Sequence, residues 1–104
     1  MATYRKYLRW EIQNETVIVT FKGVEGLDEE RLDEVFYFIH WMKTTRIILD
    51  FTNIKWIDSI FIGKIMGLKK ALEEVKGTLV LRGLNACITQ KLESLRMYDF
   101  FTIE

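Results

Sequence analysis

Between Lys55 and Gly67 the chain reads KWIDSIFIGKIMG, and the fold turns on how this stretch is read. Two polar residues, Asp58 and Ser59, interrupt a run that is otherwise mostly apolar. Beyond them Phe61, Ile65, Leu68, Leu72 and Val75 recur at intervals of three and four, the spacing of one buried helix face. With Ser59 set at zero on a wheel of about 3.6 residues per turn, those five fall at roughly 160 to 240 degrees. The stretch therefore predicts a helix that starts at Asp58-Ser59, continues to about Val75 and stops at Gly77, a natural C-terminal cap glycine. Ser59 then points outward, with Gly63, Met66 and Lys70 near it and Ile62 at its flank. Asp and Ser are both preferred N-caps, so either could serve only to start the helix. The same position also favours an anion. The first backbone N–H groups lack intrahelical acceptors and carry the positive end of the dipole, so a phosphate on Ser59 would be held there without unfolding the domain.

Working outward, Arg46-Ile47-Ile48-Leu49-Asp50-Phe51 is nearly continuous apolar sequence, the pattern of a central strand covered on both faces. Thr78 to Arg82 repeats that pattern, Gly83-Leu84-Asn85 turns, and Ala86 to Met97 reads as a further helix with Ile88, Leu92 and Leu95 on its stripe. Phe100 to Ile103 closes as a strand. On the other side, Tyr4–Ile12 and Thr16–Lys22 are strand-like runs joined by the polar tripeptide Gln13-Asn14-Glu15, which suits a hairpin. Gly23-Val24-Glu25-Gly26 breaks the pattern, and Asp28 stands where a helix N-cap would, with Arg31 at the capping-box partner position. A helix of about fifteen residues follows, with Leu32, Val35, Phe36 and Ile39 on one face. Tyr37, Phe38 and Trp41 point elsewhere and require either a covering segment or a partner. This order predicts an α/β fold: one domain over residues 1–104, a mixed, mostly parallel sheet of about four to five strands, an N-terminal edge hairpin, and helices packed over the sheet.

Composition narrows the function. Of 104 residues, 49% are apolar and 29% charged, which supports a folded core and excludes disorder. Fifteen basic residues balance fifteen acidic ones with no long block of either sign, so no nucleic-acid partner and no membrane insertion are expected. No apolar run approaches the about eighteen residues of a membrane span, and the N-terminus MATYRKYLRW lacks a signal-peptide run, so the reading is cytoplasmic. The single cysteine, Cys87, and the single histidine, His40, supply no zinc ligand set and no nucleophile–base pair. The glycines form neither a Walker loop nor a dinucleotide fingerprint. No cofactor, metal or catalytic activity is expected.

The arrangement resembles the STAS domain of the anti-sigma-factor antagonists over nearly the whole chain. That family's motif is an apolar strand ending in an acid, a short segment, then Asp-Ser-Ser-Gly followed by Leu-Gly and an apolar helix. Ile47-Ile48-Leu49-Asp50-Phe51 matches the strand, Trp56-Ile57-Asp58-Ser59 the approach and first half of the motif, and Ile62-Gly63 the Leu-Gly pair. Gly23 and the loop from Glu25 through Gly26-Leu27-Asp28 look like the family's Leu-Asp loop. Ile60 stands where the family has its second serine, and Phe61 where it has glycine. The resemblance implies a domain with no catalysis of its own, binding an anti-sigma factor that is also a serine kinase. It further implies Ser59 as the phosphorylated serine, with Asp58 beside it and the loop around Glu25 and Asp28 bordering the same surface, to which the wheel position of the outward serine adds Ile62, Gly63 and Met66 as expected partner contacts. The two motif departures leave a second expectation, a non-switching scaffold subunit of a transporter or larger signalling assembly. Monomer and homodimer are both left open.

Overall fold

Runs of Ile, Val and Leu bounded by charged ends build the centre of the molecule. β5 (Arg46–Asp50) and β7 (Thr78–Arg82) each have an exposed first residue, three buried residues and a half-buried last one. Burial of consecutive residues means burial on both faces, because side chains alternate across a strand. The computed structural model describes residues 2–4, 8–21, 26–27 and 45–104. In it these strands are joined by β1 (Ala2–Tyr4), β2 (Leu8–Gln13), β3 (Thr16–Phe21) and β8 (Thr102–Ile103) in one six-stranded sheet. The order is β1-β2-β3-β5-β7-β8. The first two pairings are antiparallel and the other three parallel, which makes the sheet mixed and mostly parallel with the hairpin at one edge. A separate two-stranded parallel pair is made by β4 (Gly26–Leu27) and β6 (Trp56–Ile57).

Two helices are described, α1 (Ser59–Glu74) and α2 (Ala86–Ser94). Both contribute to one core cluster, with Phe61, Ile62, Ile65, Leu68 and Leu72 from α1 and Ile88 and Leu92 from α2. The sheet supplies Val17, Val19, Ile47, Leu49, Leu79 and Leu81 to the same cluster. Ile18, Ile48 and Val80, aligned in register across β3, β5 and β7, form a second buried cluster on the opposite face. Under the first turn of α1 sit three rings, Phe21, Phe51 and Phe61. Their centroids lie 5.3, 5.9 and 6.2 Å apart in tilted and edge-to-face contacts, arrangements that aromatic quadrupoles favour.

Several expectations change at element ends. The single strand expected over Tyr4–Ile12 is two strands, β1 and β2, paired antiparallel with Ala2 opposite Glu11 and Tyr4 opposite Arg9. That reversal adds one strand to the five read from the sequence, so the sheet has six. α1 stops one residue before Val75, which caps it and is 48% exposed rather than anchoring the core. Lys76, not Gly77, takes the left-handed position at φ 59°. Its N–H bonds the Glu73 carbonyl at 3.0 Å and the Gly77 N–H bonds the Leu72 carbonyl at 2.6 Å, the two bonds of a Schellman ending. α2 ends the same way, at Ser94 rather than Met97, with Arg96 at φ 57° and Met97 N–H bonding the Leu92 carbonyl. Leu95 is consequently 40% exposed, and Phe100 sits in a short 3₁₀ turn rather than in the last strand. The helix expected after Asp28, with Leu32, Val35, Phe36, Ile39 and the aromatics Tyr37, Phe38 and Trp41, lies outside the described residues, as does His40.

Candidate functional site

The junction from β6 into α1 is fixed by one carboxylate. Asp58 is the N-cap in extended conformation, and its Oδ1 accepts the Phe61 N–H at 2.6 Å while its carbonyl accepts the Ile62 N–H at 3.2 Å. With Asp58 capping, Ser59 becomes the first helical residue and is exposed. Its hydroxyl has no hydrogen-bond partner among the described residues. The N–H groups of Ser59 and Ile60 have no acceptor within the helix, as at any helix start.

Of the other residues expected here, Gly63 is exposed and Met66 is half-buried against the core. Ile62 is not at the surface: it is 1% exposed and belongs to the core cluster. The buried arc of α1 extends past the predicted stripe to about 300 degrees, where Ile62 lies, so the open face shifts the other way, toward Ile60. Glu25 and Asp28 lie outside the described residues, but Gly26 and Leu27 between them pair with Trp56 and Ile57. That pairing sets the loop segment beside the junction. Two residues that sequence reasoning did not assign to the surface are its largest exposed apolar groups, Trp56 at 48% and Ile60 at 60%. Their signal was the alternation in Trp56-Ile57 and the wheel position of Ile60, about 100 degrees from Ser59.

This geometry, an exposed serine at the start of the crossover helix between two parallel strands, is accompanied by a match to the STAS domain profile over residues 2–104. The chain belongs to the STAS domain family. Its fold is similar to that of the anti-sigma factor antagonist SpoIIAA in its unphosphorylated form, at 20% identity and TM-score 0.74, covering 93% of this chain and 87% of that one. The phosphorylated form of SpoIIAA, a Bacillus cell fate determinant, gives 22% identity and TM-score 0.71, covering 93% and 90%. An anti-sigma-factor antagonist domain protein of Planctomyces limnophilus gives 16% identity and TM-score 0.76, covering 93% and 87%. No curated protein matches the chain by sequence.

Behind the junction, this STAS domain holds its approach loop with a polar cluster at the ends of β5 and β7. Asp50 Oδ1 accepts the Thr52 N–H at 2.9 Å and the Thr52 hydroxyl, and its Oδ2 accepts Arg82 Nε and one terminal nitrogen at 3.1 and 3.0 Å. Burial alone would raise the Asp50 carboxyl. The Thr52 and Arg82 hydrogen bonds, with the Arg82 charge, outweigh it and leave the group below its ordinary value of 3.8. A carboxyl depressed on folding stabilises the native state above its unfolded pKa, and that stabilisation fades as pH falls through the folded value. Asp50→Asn should therefore lose about 1–2 kcal/mol at neutral pH, a deficit that shrinks toward zero in acid. Urea titrations of both proteins across that range check it, and a deficit independent of pH would refute it.

Proposed function

We propose that this domain is a non-catalytic regulatory module of the anti-sigma-factor antagonist kind, acting in the cytoplasm. It docks an anti-sigma factor that is also a serine kinase through Trp56, Asp58, Ser59, Ile60, Gly63 and Met66, with the loop around Glu25 and Asp28 bordering the surface. Phosphorylation of Ser59 releases the partner. The observation that carries this reading is the exposed hydroxyl of Ser59, unpaired among the described residues, with exposed Trp56 and Ile60 close to it in the chain. A phosphate there brings about 1.5 to 2 negative charges into a surface that otherwise meets its partner with apolar groups. Such a contact would have to desolvate the dianion, which is costly without a paired cation. The fold tolerates the group, because the first-turn amides of Ser59 and Ile60 remain available to it. SpoIIAA, solved both without and with its phosphate in this same fold, supports that compatibility.

The test is incubation with an anti-sigma serine kinase and ATP, followed by intact-mass measurement. Native protein should gain one phosphate and Ser59→Ala none. Ser59→Asp should weaken the partner complex at least about ten-fold, a change of about 1.4 kcal/mol. If native protein gains no phosphate while Ser59→Asp still retains a co-purified partner, the non-switching scaffold reading replaces this one. The exposed Ile60, in place of the family's second serine, is the feature that favours that outcome.

A further inference from the structure

We infer that Asn85 is a positioning residue for the docking surface, an inference that rests on the reading above. Asn85 lies thirty residues from the loop it holds. Its Nδ2 donates to the carbonyls of Ile54 and Lys55, both at 3.0 Å, and its Oδ1 accepts the Ile88 N–H at 2.8 Å as the N-cap of α2. This set fixes the amide orientation, since the reverse would place the oxygen against two carbonyl oxygens. One side chain thus caps a helix and clamps the two residues immediately before Trp56. The start of the same loop is tied to the same turn by Phe51 N–H bonding the Arg82 carbonyl at 2.8 Å, and the loop closes on itself through Ile54 N–H bonding the Phe51 carbonyl at 2.9 Å. From Asp50 to Lys55 the approach loop is therefore hung on residues 82–85, and Trp56, Asp58 and Ser59 follow directly from it. The orientation of Trp56 and of the α1 start is set by the β7–α2 turn as well as by Asp58.

Asn85→Asp separates the two tasks. Aspartate is as good an N-cap as asparagine, so the bond from Ile88 N–H remains, but both donations are lost and a carboxylate faces two carbonyls. Native-state hydrogen exchange on the full chain, without any partner, reads the result amide by amide. The expected outcome is exchange faster by about ten-fold at Ile54, Phe61 and Ile62, with Ile88, Thr89 and the β5 and β7 amides unchanged. Asn85→Ser, which keeps a capping oxygen and cannot span both carbonyls, should behave alike if the aspartate variant folds poorly. A uniform rise across all amides, or no rise at Ile54 and Phe61, overturns the proposal. Because no partner or kinase enters the measurement, its failure is distinct from failure of the Ser59 switch.

Discussion

Phe61→Gly, which would bring the family's glycine back to the junction, is expected to cost about 3–6 kcal/mol of stability. Phe61 is fully buried and makes edge-to-face contacts with both Phe21 and Phe51. Emptying such a site costs about 3–5 kcal/mol, and glycine within a helix adds up to about 1 kcal/mol over alanine. A small domain has only about 5–15 kcal/mol in total, so the variant should be largely unfolded at modest temperature. Ile60→Ser, the other step toward the family motif, changes a side chain 60% exposed and should stay within about 0.5 kcal/mol. The two departures from the motif are thus different in kind: one is a core wedge and the other a surface choice. Urea unfolding followed by far-UV circular dichroism checks both. A loss under about 2 kcal/mol for Phe61→Gly would show that the three-ring cluster is not what seats α1.

The contrast explains what was legible in the sequence. Periodicity located β5, β7 and α1, because continuous apolar runs and a three-four spacing leave few alternatives. It did not locate the β1–β2 reversal, since Arg5-Lys6-Tyr7 carries no glycine, proline or asparagine to mark a turn. It also overran both helices. Val75 and Leu95 keep the stripe going in sequence, yet each is the last residue before a left-handed Lys76 or Arg96, a position where glycine is the usual signal. Gly77 was read as the cap and serves a different need: a Cβ there would lie 2.6 Å from the Thr45 carbonyl oxygen.

At the site, the outward aim of Ser59 was readable from its wheel position, whereas the burial of Ile62 was not. The wheel gives directions and not how far around α1 the core reaches. Asn85 was readable as a turn residue only. Its partners Ile54 and Lys55 are distant in sequence, and long-range hydrogen bonds leave no local pattern.

The same cluster predicts that one substitution, Gly to Ala, changes sign with position. Gly83 has φ +73°, and a Cβ there would overlap Thr52 Oγ1 and lie 3.0 Å from Thr52 N and 3.1 Å from Asp50 Oδ1. The Thr52 hydroxyl has no easy retreat, because it donates to Asp50. Left-handed backbone costs alanine about 1–2 kcal/mol, and the overlap adds about 1–3 kcal/mol. Gly83→Ala should therefore lose about 2–5 kcal/mol in a urea titration, through the turn that meets Asp50 and Thr52 and carries Asn85. Gly63 is exposed on α1, and a Cβ there meets nothing within 4 Å. Gly63→Ala should gain up to about 1 kcal/mol, from helix propensity alone. On the proposed docking face its effect on partner binding is opposite: the added methyl group should weaken the proposed complex. Equal stability changes for the two alanine variants would mean that the 82–85 turn is not under the constraint that holds the approach loop in place.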